Sequence, residues 1–82
     1  MEEMIQVSET EWLEIFGDNL KDMVEGAGYT QRDLADETGL SESTISRYIT
    51  KKQMPCIRAL VNIAYVLDCS IDELMDFGDR ID

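Results

Sequence analysis

Residues 29 to 50 read YTQRDLADETGLSESTISRYIT, and the fold prediction rests on this stretch. Thr30 and Ser41 each stand where a side-chain oxygen can cap the start of a short helix. Gly39 lies between the two helices and can accept the positive φ angle of a tight turn. Because so brief a turn cannot bring the helices antiparallel, the spacing predicts a helix-turn-helix, with helices at 31–38 and 41–49.

Three further helices are predicted outside this stretch. Ser8 begins a capping box ahead of a first helix that runs from about residue 9 to the glycines near residue 27. Pro55 suits the first turn of a fourth helix, and Ser70 begins a capping box for a short fifth one. Since no alternating run convincingly predicts a strand, the chain is expected to be all-α, a single five-helix domain over 1–82 with a core at about 9–77 and short flexible ends.

Helical periodicity also predicts which side chains face the core. In the helix-turn-helix, Ala35 should be small where the helices cross, and Ile45 should fill the space between them. The other expected core positions are Trp12, Phe16, Leu20, Met23 and Val24 on the first helix, Leu34, Leu40, Tyr48 and Ile49 in the motif, Ile57, Leu60, Val61, Ala64 and Leu67 on the fourth helix, and Ile71, Leu74 and Met75 on the fifth.

Charge is distributed unevenly along the 82 residues. The chain has 18 acidic and 7 basic side chains and a formal net charge of −11, which by itself argues against binding a polyanion. Residues 43 to 67 contain no acid and carry Arg47, Lys51, Lys52 and Arg58. This window is either an ordinary solvated face or a local anion-binding face on an acidic body.

Several classes of function are disfavoured by composition. The absence of histidine, with Cys56 and Cys69 as the only cysteines, excludes most zinc sites and imidazole-based catalysis, and no cofactor, metal or small-molecule ligand is expected. Both cysteines are interpreted as small core residues in a reducing compartment. The longest apolar stretch, 59–67, is interrupted by Asn62 and is too short for a membrane span, so a cytoplasmic protein that is not an enzyme is expected.

The string from Tyr29 to Ile49 resembles the Cro and phage-repressor type of helix-turn-helix, the family that also contains the xenobiotic-response-element regulators. The resemblance continues through Met54-Pro55 to Leu74 and covers about residues 17–77 in the order of the family's five helices. It implies a lambda-repressor-like fold and a phage or prokaryotic transcriptional regulator that binds double-stranded DNA. It also implies a homodimer on a two-fold operator, with half-sites about 34–36 Å apart.

The same resemblance assigns DNA contacts. It implies base-facing roles for Ser41, Glu42, Ser43, Thr44 and Arg47, and phosphate contacts for Thr30, Gln31, Tyr48, Lys51 and Lys52. Gln31 would hold its phosphate with the help of the helix dipole. Plainer roles remain open, because Thr30 and Ser41 are first of all expected to be helix caps, and the basic side chains could form an ordinary solvated face.

The sequence differs from the usual family pattern in two places. Many members of the family have a glycine after the recognition helix where this chain has Thr50-Lys51-Lys52, so that helix end is expected to be capped differently. The first helix has an unusually acidic face.

Candidate dimer surfaces are the fifth helix with Phe77, or the N-terminal segment with Met4, Ile5 and Trp12. The alternative function is an antitoxin-like or antirepressor protein-interaction module that uses the acidic face.

Overall fold

The computed structural model describes residues 8–76, which form five helices and no strand, so the all-α prediction is confirmed. The predicted flexible ends, with Met4, Ile5 and Phe77, lie outside the described residues. The helices are α1 (Glu9–Gly26), α2 (Gln31–Thr38), α3 (Glu42–Ile49), α4 (Ile57–Leu67) and α5 (Ile71–Leu74).

Side-chain caps explain why four of these helices begin where they do. Ser8, Thr30 and Ser70 each accept a hydrogen bond from the backbone N–H three residues ahead and form complete capping boxes for α1, α2 and α5. Ser41 caps α3 by accepting from the N–H of Thr44 at 3.0 Å. The capping predictions are therefore confirmed, and the bounds of α1 and α2 agree with the expected ones.

The helix-turn-helix has the geometry that its residues predict. Gly39 ends α2 with φ of 79°, in the left-handed region, and turns the chain towards α3. Ala35 is buried at the contact of the two helices, and Ile45 is completely buried. Around this pair, the largest fully buried side chains are Phe16, Leu20, Leu34, Ile63 and Leu74.

The predicted inward face of α4 is confirmed at Ala64, which is buried, and at Leu60 and Leu67, which pack against the core, but it is wrong at Ile57 and Val61. Ile57 is 80% exposed and Val61 is 49% exposed, while Ala59 and Ile63 are buried in their place. The residues of α4 are apolar on nearly every side, so periodicity cannot identify the buried face. The small Ala59 and Ala64 permit close packing against α2 and α5, and this tertiary contact sets the orientation.

The start of α4 also differs from the prediction. Pro55 precedes the helix by two residues and is not in its first turn. Cys56 occupies the N-cap without a side-chain cap bond and is exposed, so its interpretation as a core residue is wrong. Cys69 is half-buried, and burial raises the pKa of its thiol, an effect that the carboxylates of Glu73 and Asp68 reinforce.

Two asparagine amides join helices that are distant in sequence. Asn19 on α1 donates through Nδ2 to the carbonyl oxygens of Leu74 (2.8 Å) and Asp76 (3.0 Å), which ties α1 to the end of α5. Asn62 on α4 donates to the carbonyl oxygen of Thr38 at the end of α2. The carbonyls of Leu74 and Thr38 are at the C-terminal ends of α5 and α2, where the helix supplies no hydrogen-bond donor, and the asparagine amides donate to them instead. The polar residue that interrupts the apolar run of α4 is therefore structural.

Candidate nucleic-acid interface

Helix α3 presents one face to the core and the other to solvent. Ile45 and Tyr48 pack inward, in contact with α1 and α2. Glu42, Ser43 and Arg47 are exposed on the opposite face. These three predicted base-facing residues therefore lie on a surface that a large ligand can approach.

The first turn of α3 holds two hydroxyls in contact. The hydroxyl oxygens of Ser41 and Thr44 are 2.7 Å apart, in addition to the cap bond from the Thr44 N–H. Thr44 is half-buried and Ser41 is exposed. The cap thus fixes the position of both hydroxyls at the helix N-terminus, where positive partial charge favours an anionic or acceptor partner.

Arg47 is held across the outer face of α3 by three neutral partners. Its Nε donates to Oε1 of Gln53 at 2.7 Å, and Nη1 donates to Oγ of Ser43 at 2.9 Å. Nη2 is 3.3 Å from Oγ1 of Thr44. Because none of these partners is charged, they orient the guanidinium without neutralising it. Two of its five N–H donors remain for another acceptor.

Gln53 is a residue that the sequence interpretation missed. It lies outside α3, so the spacing of helical neighbours gives no signal for its contact with Arg47. The chain turns back after α3 and brings the Gln53 amide beside the guanidinium. Only the tertiary path of residues 50–53 reveals this pair.

The end of α3 contradicts the expectation of a different cap. Lys51 adopts φ of 67°, the left-handed conformation that glycine usually supplies. Its N–H donates to the carbonyl of Tyr48 at 3.2 Å, and the N–H of Lys52 donates to that of Arg47 at 2.8 Å. These two bonds form a Schellman motif, so the usual helix end is retained with lysine at the strained position.

Lys51 is also tied to the first helix. Its Nζ lies 2.8 Å from Oδ1 of Asp18, and both side chains are about two-fifths exposed (38% and 40%). The lysine stem crosses directly over Gly17, since an ideal Cβ placed there would be 2.8 Å from Lys51 Cγ. One predicted phosphate contact therefore has an internal counter-charge, supplied by the acidic face of α1.

The remaining predicted contacts differ in availability. Thr30 is exposed and caps α2, and its N–H and hydroxyl hold the pKa of the Asp33 carboxyl below its usual range. Gln31 is half-buried at the start of α2, and Lys52 is exposed.

Tyr48 is the predicted contact that the structure buries. It is 3% exposed, and its ring packs edge-to-face against Phe16 with centroids 5.7 Å apart. Burial raises the pKa of its hydroxyl. The ring thus supports α3 from the core side and is not part of the exposed face.

Residues 8–76 contain neither a candidate metal site nor a candidate membrane-spanning helix. No group of three or more His, Cys, Asp or Glu side chains could hold a metal ion there. No described helix is both long enough and apolar enough to cross a membrane.

Comparison with known proteins gives concordant similarities. The sequence profile of the helix-turn-helix family HTH_3 matches residues 20–74. The uncharacterised HTH-type transcriptional regulator YqaE of Bacillus subtilis is 31% identical over 61 residues, 74% of this chain and 53% of the relative. The transcriptional repressor RstR of the cryptic phage CTXphi, from Vibrio cholerae, is 42% identical over 45 residues, 55% of this chain and 40% of the relative. The chain thus spans about half the length, or less, of these relatives.

Among solved structures, the restriction-modification controller protein C.AhdI of Aeromonas hydrophila superposes with a TM-score of 0.73 and 26% identity. The match covers 76% of this chain and 94% of that protein. The predicted resemblance to the phage-repressor type of helix-turn-helix is confirmed by these similarities. The proteins matched are regulators of transcription and not enzymes.

Proposed function

The chain belongs to the helix-turn-helix family HTH_3, and from this premise we propose that it is a sequence-specific, DNA-binding transcriptional regulator. In this proposal α3 enters the major groove of duplex DNA with its N-terminal residues towards the base edges. The relatives named as a transcriptional regulator and a repressor support this class of function.

The observation that carries the proposal is the arrangement of Arg47. Its guanidinium lies on the exposed face of α3, oriented by Ser43, Thr44 and Gln53 with its charge intact. A planar guanidinium held in this way suits paired acceptors such as O6 and N7 of guanine.

We assign the proposed contacts in two groups. Base-edge contacts fall to the exposed side of α3 and its cap, and phosphate contacts fall to the start of α2 and the end of α3. The base-facing residues are Ser41, Glu42, Ser43, Thr44 and Arg47, and the phosphate-facing ones are Thr30, Gln31, Lys51 and Lys52. Tyr48 is left out because its side chain is buried.

We also propose that a homodimer occupies a two-fold operator. One helix in the groove contacts only a few base pairs, so a pair of half-sites about 34–36 Å apart supplies the affinity that a single copy lacks. The net charge of −11 repels DNA in general. Residues 43–67 contain no acid, so the attraction between basic side chains and phosphate is confined to the surface around α3.

The test begins with selection of bound duplexes from a random pool, followed by fluorescence anisotropy on the selected operator. Loss of a bidentate base contact costs about 1–3 kcal/mol, so Arg47→Ala should weaken operator binding by about 5- to 150-fold. Arg47→Lys is the matched control, because it keeps the charge and loses the fork. It should retain the salt dependence while losing most discrimination between operator and random DNA.

Lys52→Ala separates phosphate contacts from base contacts. It should weaken binding about equally on all sequences and reduce the slope of log K against log salt by about 1. Failure to recover any bound duplex from the pool at low salt would refute the DNA-binding proposal. A stoichiometric protein partner, found together with no DNA binding, would favour the interaction-module alternative.

A further inference from the structure

Helix α4 exposes a row of apolar side chains that the fold does not use. Ile57, Val61 and Tyr65 are 80%, 49% and 84% exposed. They are spaced four residues apart, so they line one face of the helix over about 12 Å. Isolated exposed apolar residues are ordinary, whereas an aligned row of them is typical of a docking surface. We call these three residues the α4 stripe.

We propose that the α4 stripe is the surface through which two copies of this chain pair, with the two α4 helices antiparallel. This inference rests on the proposed dimeric function and adds the interface and its geometry. In a two-fold arrangement centred on Val61, each Val61 faces its own counterpart, and Ile57 faces Tyr65 of the second copy. Val61, the smallest of the three side chains, then lies at the two-fold axis. At either end of the stripe, Ile57 packs against the ring of Tyr65 from the second copy.

Charge selects a second copy as the occupant of this face. Each chain carries a net charge of −11, so two copies repel wherever their acidic surfaces meet. Helix α4 contains no acid from Ile57 to Leu67, which allows close approach. A basic protein partner would instead be attracted to the acid-rich helices, away from this face.

The ends of the α4 stripe are complementary when the helices run antiparallel. Arg58 is exposed in the first turn of α4, and Asp68 is exposed at its C-terminal end. Antiparallel pairing brings Arg58 of each copy towards Asp68 of the other, twice in the dimer. Parallel pairing would bring like charges together. The charge pattern therefore favours the same two-fold arrangement as the apolar residues.

The size of the α4 stripe predicts a weak dimer. Stable protein interfaces bury about 800 Å² on each partner, and three side chains on two helical turns form only the centre of such a patch. We therefore expect association in the micromolar range for free protein. Pairing should strengthen on DNA, because two adjacent half-sites hold the copies at high effective concentration.

Cross-linking tests the geometry directly in the full chain with Cys56→Ser and Cys69→Ala. A residue on a two-fold axis lies opposite itself, so Val61→Cys should form a disulfide between copies under mild oxidant. Asp22→Cys, exposed on α1 and away from the α4 stripe, is the matched control and should form no disulfide between copies at the same protein concentration. Equal cross-linking of the two variants would overturn the proposed axis.

Sedimentation equilibrium tests the surface itself. Tyr65→Glu should raise the dimer dissociation constant at least tenfold and leave the thermal midpoint of dilute, monomeric protein unchanged, since Tyr65 is exposed. A wild-type chain that is monomeric both free and on the operator would overturn the proposal. So would a Tyr65→Glu dimer as tight as wild type, or a dimer lost only when residues 1–7 are deleted.

A half-site duplex distinguishes this inference from the proposed function. Tyr65→Glu should bind one half-site with wild-type affinity while losing cooperative binding to the full operator. If wild type binds half-sites but Tyr65→Glu keeps its cooperativity, the α4 stripe is wrong and the DNA-binding function stands. If neither protein binds any duplex, the proposed function has failed, and the cross-linking result still judges the dimer surface.

Discussion

Gly17 on α1 is the position where a single methyl group should have the clearest effect. An ideal Cβ at Gly17 would lie 2.8 Å from Cγ of Lys51 and 2.9 Å from the carbonyl oxygen of Tyr48. The carbonyl oxygen of Ile49 would be 3.3 Å away. The lysine stem can move aside, but the two backbone oxygens can retreat only if the end of α3 shifts away from α1. We therefore expect Gly17→Ala to destabilise the fold.

The magnitude follows from two opposing effects. Overpacking a buried site by a methyl group costs about 1–3 kcal/mol when backbone must move. Replacing glycine by alanine inside a helix returns about 0.5–1 kcal/mol. The expected net loss in the free energy of unfolding is about 1 kcal/mol, within a range of about 0–2.5 kcal/mol. For a domain of this size, each kcal/mol corresponds to about 4–8 °C in the thermal midpoint.

The same helix provides a matched control. Gly26 is exposed at the end of α1, and a Cβ there meets nothing within 4 Å. Gly26→Ala should therefore show only the helical gain, at most about 1 kcal/mol. Urea unfolding followed by far-UV circular dichroism measures both variants. A Gly17→Ala protein that is as stable as Gly26→Ala would refute the close crossing of α1 and α3.

Three further predictions concern the charged groups around α3 and the start of α2. Asp18→Asn removes the counter-charge of Lys51. Fluorescence anisotropy should show a larger gain in affinity for random DNA than for the operator. Equal gains would contradict the role assigned to Asp18. Lys51→Gly relieves a left-handed backbone conformation that costs about 1–2 kcal/mol, but glycine also raises the conformational entropy of the unfolded chain. The free energy of unfolding in urea should therefore change by less than about 1 kcal/mol, while operator affinity falls. Asp33 has a lowered pKa in the fold, so its contribution is present above the ordinary value of 3.8 and is lost as pH falls through the lower, folded value. The stability difference between wild type and Asp33→Asn should accordingly shrink in acid, and a difference that grows instead would contradict the capping box.

Local signals explain why the first three helices were predictable. A cap such as Thr30 with Asp33 satisfies backbone groups within a single turn, so it identifies a helix start without knowledge of the rest of the fold. Gly39 marks the turn for a similarly local reason, because its φ is positive. The helix-turn-helix and its outer face were therefore accessible from the sequence.

Tertiary contacts explain what could not be predicted. The buried side of α4 depends on where α2 and α5 pack, and a helix that is apolar all round does not reveal it, so Ile57 was assigned to the core in error. The contacts of Arg47 with Gln53 and of Lys51 with Asp18 join residues that helical periodicity does not pair. The left-handed conformation of Lys51 was missed because this chain lacks the glycine that usually adopts it after the recognition helix.

The asparagine amides have a consequence for how this domain responds to its medium. Asn19 and Asn62 join α1 to α5 and α4 to α2 through uncharged groups, so dissolved ions do not screen those links. Raising salt from about 50 to about 200 mM should then weaken contacts with phosphate while the helices stay joined. Circular dichroism that stays constant over that range would let the ionic-strength dependence of binding be attributed to the bound surface alone.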